Sequence, residues 1–414
     1  MKIKRTDGYI VLFIAFFLQP FIEQFIIPFK YFDELIVLCF FITFIAKRIY
    51  ESNGKESVLG LFIIICLFLL LIVGICGNVV SQTKQPFVAV IQDILSNCKL
   101  FVFIIAIRGK CLTEKQKNDL CDGLSRLVRF IFVLMFSCAI LSLFVNIGMT
   151  DYSEPRRYGL NAFKFIYNNA AGMNTYCYLF IIVHSITLFK NGKLRRNSSI
   201  YTVMGVISWI LTLRSRAVAF AIIYSVLYIY IIFVRKTGKK FRFKWYHAVA
   251  ILIGAVILGW GAIEKYFIIN ERVSRFQLMQ KSFQIAKEYF PIGTGFGTYG
   301  TEASRVYYSV LYYRYNMASI YGLSPENPLF IVDQYWFGII GQFGLVGLAL
   351  ISAMIYGIYR EIWSFSKQVK PNQLAALTLF LTSVLASLTA GTFIQASILP
   401  SIFVLYLLRV KDTR

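Results

Sequence analysis

Apolar positions in this chain fall in long runs rather than in alternation. The runs lie near 9–28, 32–46, 58–80, 87–107, 129–149, 170–189, 199–213, 217–234, 246–263, 336–358, 372–390 and 392–408. A helix needs about 20 mostly apolar residues to cross roughly 30 Å of hydrocarbon, and most of these runs approach or reach that length. The pattern predicts an all-α integral membrane protein of about 12 transmembrane helices. One long stretch, 267–333, breaks the pattern. It divides the chain into an N-terminal transmembrane bundle (1–266, spans 1–9), one large external loop between spans 9 and 10 (267–333), and C-terminal transmembrane helices (334–414, spans 10–12).

The charge pattern orients this layout. Lys and Arg cluster in every second connection, as at Lys47/Arg48, Arg108/Lys110, Lys190/Lys193/Arg195/Arg196, Arg235/Lys236 and Arg360/Lys367/Lys370, and basic residues collect on the cytoplasmic side of spans. Both termini are therefore expected in the cytoplasm and 267–333 outside. No small-residue cleavage site follows the first apolar run, so that run is read as a span and not as a signal peptide. Composition agrees, since 58% hydrophobic against 15% charged residues is too apolar for a soluble domain. Because the formal charge of +23 mostly reports topology, nucleic acid is not expected as a partner. The eight cysteines avoid the external loop and form no C-x-x-C, so neither a disulfide framework nor a metal site is expected.

Polar residues inside or beside the spans are the first chemical signal. Gln19, Pro20, Glu23 and Gln24 make the end of span 1 costly against lipid, which predicts that it faces protein or a cavity. Asp93, Asn97 and Lys99 in span 4 fit either a buried contact between helices or a functional site, and Asp93 and Lys99 do not share a helix face. Arg156 and Arg157 sit in an external loop (TDYSEPRRYGLNAFKFIYNN), where they fit an anion or headgroup contact. Asn168, Asn169 and Gly172 suit turn and cap chemistry at the start of span 6. Between two short apolar runs, LTLRSRA places Arg214 and Arg216 at or just below the outer surface. Guanidinium forks there suit phosphate or pyrophosphate oxygens, with snorkelling to headgroups as the alternative.

In the external loop, Phe276, Met279, Phe283, Ala286 and Phe290 form one helical stripe, which predicts a helix lying on the membrane or against the bundle. Arg272 falls within that stripe and Arg275 on its flank. Cations at a helix start oppose the macrodipole, and an anion bound there removes the conflict. PIGTGFGTYG (291–300) contains G-x-G-x-x-G by letters, but no strand precedes it and it lies outside, so a dinucleotide site is rejected. Its glycines, Gly293 and Gly295 among them, are expected to bring backbone close to a ligand or to the bundle. The tyrosines of 303–321 form an interfacial belt or a sugar-stacking surface.

These pieces, in this order, resemble the Wzy-type polysaccharide polymerases and WaaL-type O-antigen ligases. The resemblance rests on the span pattern and on RRYGLNAFKFIYNNAAG, LTLRSRA, RFQLMQKSFQIAKEYFPIGTGFGTYG and VDQYWFGIIGQFGLVGL. It implies a GT-C-like helical fold in the bacterial inner (cytoplasmic) membrane. It also implies transfer of a glycan from undecaprenyl pyrophosphate to a sugar hydroxyl at the outer leaflet, without metal, cofactor or nucleotide sugar. Arg214, Arg216 and Arg275 match the family's pyrophosphate-binding arginines. Ligases carry His-Asn before span 10 where this chain has Val332-Asp333-Gln334-Tyr335, which favours an O-antigen or capsule polymerase.

The expected function is thus polymerisation of lipid-linked oligosaccharide repeat units, with the bilayer, the lipid-linked donor and acceptor and a chain-length regulator as partners. Asp333 is the candidate acceptor of the hydroxyl proton, or a helix N-cap for span 10. The expected catalytic set is Asp333, Arg214, Arg216 and Arg275. Arg156, Arg157, Arg272, Gly293, Gly295 and Tyr335 are expected to contact substrate. A flippase or transporter for the same lipid, a ligase, and a membrane scaffold are the alternatives. No internal repeat supports the transporter, and a scaffold does not explain the outward arginines.

Overall fold

A computed structural model of the chain describes residues 5–50, 58–110, 112–152, 156–190, 193–236, 253–254, 273–366 and 370–409. The described residues are mostly helical, with two short two-stranded ladders and irregular segments between helices. The helices are α1 Arg5–Ile22, α2 Phe32–Tyr50, α3 Val58–Ser81, α4 Phe87–Arg108, α5 Glu114–Phe144, α6 Ala170–Thr187, α7 Ser198–Ile210 and α8 Ser215–Lys236. They continue with α9 Ser274–Glu288, α10 Glu302–Val306, α11 Val310–Arg314, α12 Tyr335–Ser366, α13 Lys370–Ser387 and α14 Leu399–Leu407. The expected span at 246–263 lies outside the described residues.

Five described helices are long and apolar enough to cross a membrane: α3, α4, α5, α8 and α12. Their exposed faces carry large apolar side chains such as Leu61, Phe68, Ile75, Phe130 and Ile229, as a lipid-facing surface requires. Helices α1, α7, α13 and the segment 396–407 are apolar but shorter. The expected run 392–408 is the clearest departure. Only Leu399–Leu407 is α-helical, preceded by a 3-10 turn at Ala396–Ile398, and 388–395 is irregular. Pro400 explains the late start, because proline fits a first helical turn and not an interior. Helix α5 starts earlier than the apolar run, at a capping box between Thr113 and Gln116, so its first turns are polar.

The packed core is built from α1, α4, α5, α6, α12, α13 and α14, with α2 against α4, α3 against α12 and α7 against α5. Several polar groups in it pair across elements. Lys99 of α4 bonds Asp33 and, at 2.9 Å, Glu34 of α2, while Gln19 donates to Asp33 at 3.0 Å. Asp93 accepts from the Gly297 amide at 2.8 Å and from Gln342 at 2.7 Å. Asp93 and Lys99 therefore serve different contacts, both between elements.

The glycine turn is bound into the bundle. Asn78 of α3 donates to the Phe296 carbonyl and accepts from the Phe296 amide, both at 2.9 Å. Gly295, with φ 90°, lies so close to α3 that a Cβ on it would meet the Asn78 nitrogen at 2.3 Å. On the other side Gly344 interrupts α12 with φ 59°, leaving room for the Pro291 carbonyl. Only glycine fits this approach at positive φ.

Helix α9 packs against α12, and the predicted stripe takes part in it, since Ala286 is buried and the Phe283 ring meets Phe337 of α12 edge-on at 5.7 Å. The most buried face, however, lies beside that stripe. Leu278, Ser282 and Ile285 are buried, whereas Phe283 is 53% and Phe290 67% exposed. The reason is the tyrosine segment, which makes the core of the loop domain. Tyr299, Tyr312 and Tyr315 are buried with Leu278 and Ile285, and Tyr299 donates to the Leu278 carbonyl at 2.6 Å. Tyr312 bonds the Gly300 amide and Ser304, each at 2.9 Å. The segment is two short helices, α10 and α11, not one. Tyr313 and Tyr321 remain exposed.

Candidate functional site

The ends of α1 and α13, the starts of α6 and α9, the α7–α8 turn, the 329–333 segment and the irregular 389–397 segment surround a cavity of about 720 Å³. The helix ends around it are those that the Lys/Arg pattern assigns to the outer side. Among the described residues four arginines line it, Arg157, Arg214, Arg216 and Arg275, and the acids in the lining are Glu23 and Asp333. Two carboxylates against four guanidinium groups leave the cavity net positive.

Local backbone chemistry positions each arginine. Leu213 takes a positive φ of 53°, an uncommon conformation for a branched residue, and ends α7 so that Arg214 and Arg216 enter the cavity at the start of α8. The turn is held from outside, because the Leu211 carbonyl accepts from Phe163 at 2.9 Å and the Leu213 carbonyl accepts from Arg157 at 3.0 Å. Below it, Trp209 donates to Asn174 at 2.6 Å. Arg216 donates to Thr389 at 2.9 Å, which ties the first turn of α8 to the segment after α13. Arg275, in the first turn of α9, donates from Nε and Nη2 to Asp333 Oδ2 at 3.2 and 2.8 Å.

The N-cap expectation for Asp333 does not hold among the described residues. The amide of Gly338 donates to the Gln334 carbonyl, and the Asp333 carboxylate goes to Arg275 and not to a first-turn amide of α12. Burial pushes the Asp333 carboxyl above its ordinary value, and it outweighs the opposite pull of Arg275, Arg216 and Arg214. A carboxyl held this way retains proton affinity beside three cations.

Other expected contacts are placed differently. Arg156 is exposed and bonds Asn161 at 3.2 Å, outside the cavity lining. Gly293 and Gly295 are buried against α12 and α3 respectively, away from the cavity. Tyr335 is buried against Trp336 and Phe393. Arg272 lies outside the described residues. Asn169 caps α6 by accepting from Gly172 at 2.8 Å, and both line the cavity.

Thr389, Gly391 and Gln395 also line the cavity, although the sequence placed Thr389 and Gln395 in spans and Gly391 between two spans. The cluster of small and polar residues in TAGTFIQAS is the signal that marked them. Glu23 carried a polarity signal but no role. Among the described residues no group of His, Cys, Asp and Glu has the arrangement of a metal site.

The lining combines cations for an anion, acids for a proton and small polar groups, in a space large enough for part of a glycan with its phosphates. Comparison with protein-family models gives no match, and comparison with curated proteins gives none either.

Proposed function

We propose that the protein is a membrane glycosyltransferase that polymerises oligosaccharide repeat units carried on undecaprenyl pyrophosphate, at the outer leaflet of the bacterial cytoplasmic membrane. The observation that carries this reading is the convergence of Arg157, Arg214, Arg216 and Arg275, distant in sequence, on one cavity. Snorkelling to headgroups does not require four arginines to share one enclosure. Repulsion among them falls when a polyanion binds, and guanidinium forks match pyrophosphate oxygens bidentately.

In the transfer, a sugar hydroxyl attacks the anomeric carbon and the bond from that carbon to the pyrophosphate oxygen breaks. Charge grows on the departing pyrophosphate, and preorganised arginines stabilise it more than they stabilise the bound donor. Asp333 holds the Arg275 fork in place, and Arg216 is held by Thr389. Asp333 and Glu23 are the carboxylates in the lining able to take the hydroxyl proton.

The test is incubation of the purified protein with a lipid-linked repeat unit, followed by a gel. The proposal expects a ladder of products spaced by one repeat unit. Products limited to one added unit, or unchanged substrate, contradict it.

A further inference from the structure

A second cavity, of about 530 Å³, adjoins the arginine cavity. The two share Gln19, Glu23, Val332, Gly391, Gln395 and Ala396 as common walls. Its chemistry is different. Among the described residues no arginine lines it; four carboxylates (Glu23, Asp33, Glu34 and Glu302) stand with Lys30 and Lys99, and Tyr31 and Tyr307 also line it. On one side it meets Val88, Ile91 and Leu95, apolar residues of α4 that are 59%, 40% and 54% exposed. Ionised carboxylates accept hydrogen bonds from sugar hydroxyls, and aromatic rings stack on sugar faces. Such a lining does not suit a pyrophosphate.

Most of its acids are already committed. Asp33 and Glu34 are held by Lys99, and Glu302 by Arg305 and, at 3.4 Å, by Lys30. Glu23 has no side-chain hydrogen bond or ion pair among the described residues, and it is the one titratable group on the wall that both cavities share. Beside it, Gln19 is 3% exposed, and its Nε2 donates to the Lys30 carbonyl and to Asp33 at 3.3 and 3.0 Å. Those bonds fix the amide orientation and leave Oε1 as a buried acceptor with no donor, a group that calls for a hydroxyl.

Resting on the glycosyltransferase reading, we propose that the second cavity takes the end of the acceptor glycan and that Glu23 is the base for its hydroxyl. The hydroxyl oxygen, entering from the carboxylate-lined side, forms the new bond to the anomeric carbon. Its proton passes to the Glu23 carboxylate. The pyrophosphate leaves with the electron pair of the broken bond into the arginine cavity. Asp333 lines the arginine cavity only, and its Oδ2 receives both donors of the Arg275 fork. Asp333 is then a positioning residue for Arg275.

The experiment compares wild type, Glu23→Gln, Asp333→Asn and Ser96→Trp, the last placing bulk in the second cavity. The acceptor is a synthetic repeat-unit glycoside without pyrophosphate, and donor affinity is read as the Kd for undecaprenyl pyrophosphate. Glu23→Gln is expected to lower kcat by about 100-fold or more, the usual scale for a lost general base, with Kd unchanged. Ser96→Trp is expected to raise KM for the acceptor, again with Kd unchanged. Asp333→Asn is expected to weaken Kd through Arg275. Wild-type turnover in Glu23→Gln, or an unchanged acceptor KM in Ser96→Trp, overturns the assignment. A Kd weakened about tenfold in Glu23→Gln also overturns it, by making Glu23 part of donor binding. Inactive wild type that binds the donor refutes the glycosyltransferase reading instead, so the two failures are separable.

Discussion

Arg214, Arg216, Arg275 and Asp333 were legible as single residues because a charge placed near a membrane surface or at a helix start has a cost that something must offset. The structure gathers all four around one cavity. Gly293 and Gly295 were not resolved by the same means. A glycine that lets backbone approach a ligand and one that lets it approach a neighbouring helix leave the same mark in a sequence, and here the neighbour is α3 or α12. Glu23 was visible only as polarity in a span, since its value depends on the two cavities meeting beside it. Arg214→Lys, Arg216→Lys and Arg275→Lys are each expected to lower polymer formation by about 100-fold, because lysine keeps the charge but loses the planar fork. Polymer assays in membranes with matched protein levels check this, and near-normal output in all three removes the arginines from catalysis.

Asp333 gives a stability prediction whose sign can be worked out. Its folded carboxyl is raised above the ordinary value of 3.8, with burial as the largest cause. Ionised Asp333 therefore works against folding at higher pH, and this penalty disappears as pH falls through the folded value. Asp333→Asn should melt no lower than wild type at about pH 7, and any advantage should shrink toward about pH 4. Thermal melts in detergent at the two pH values check it. A lower melting temperature at neutral pH, restored on acidification, reverses the assigned sign.

At the scale of elements, the apolar runs located α2, α3, α4, α6, α7 and α8 to within a few residues, because twenty apolar residues in sequence leave little choice of structure. Where the runs misled, a local breaker or a tertiary partner prevailed. Pro400 and the polar TAGTFIQAS stretch turned the last expected span into a cavity wall and a short helix. In α9, the Leu278 and Ile285 face, which the Phe stripe did not include, is buried because Tyr299, Tyr312 and Tyr315 supply a core for it. The glycine turn pins this loop domain to the bundle, so Gly295→Ala should be severely destabilising. Its Cβ would meet the Asn78 nitrogen at 2.3 Å with φ at 90°, and overpacking with backbone strain costs about 2–5 kcal/mol. Loss of monodisperse protein or a large drop in melting temperature is expected, and an unchanged melt contradicts the role.

For the whole molecule, hydropathy announced a helical membrane protein, and the described residues supply five helices of spanning length. Its shorter helices meet at one end around the cavity, an arrangement that no local window of sequence displays. If that end faces outward, a cysteine at Tyr158, which is 92% exposed, should label from outside intact cells, and one at Arg196 should label only after permeabilisation. The reverse pattern inverts the topology.

The central claim is that the arginine cavity holds a polyprenyl pyrophosphate. It is tested most directly by titrating undecaprenyl pyrophosphate, with undecaprenol as control, into purified protein and into Arg214→Ala, Arg216→Ala and Arg275→Ala. The account predicts saturable binding of the pyrophosphate that exceeds undecaprenol by at least about 100-fold and falls by about tenfold or more in each variant. Equal binding of the pyrophosphate and the alcohol, or full affinity in all three variants, would contradict it.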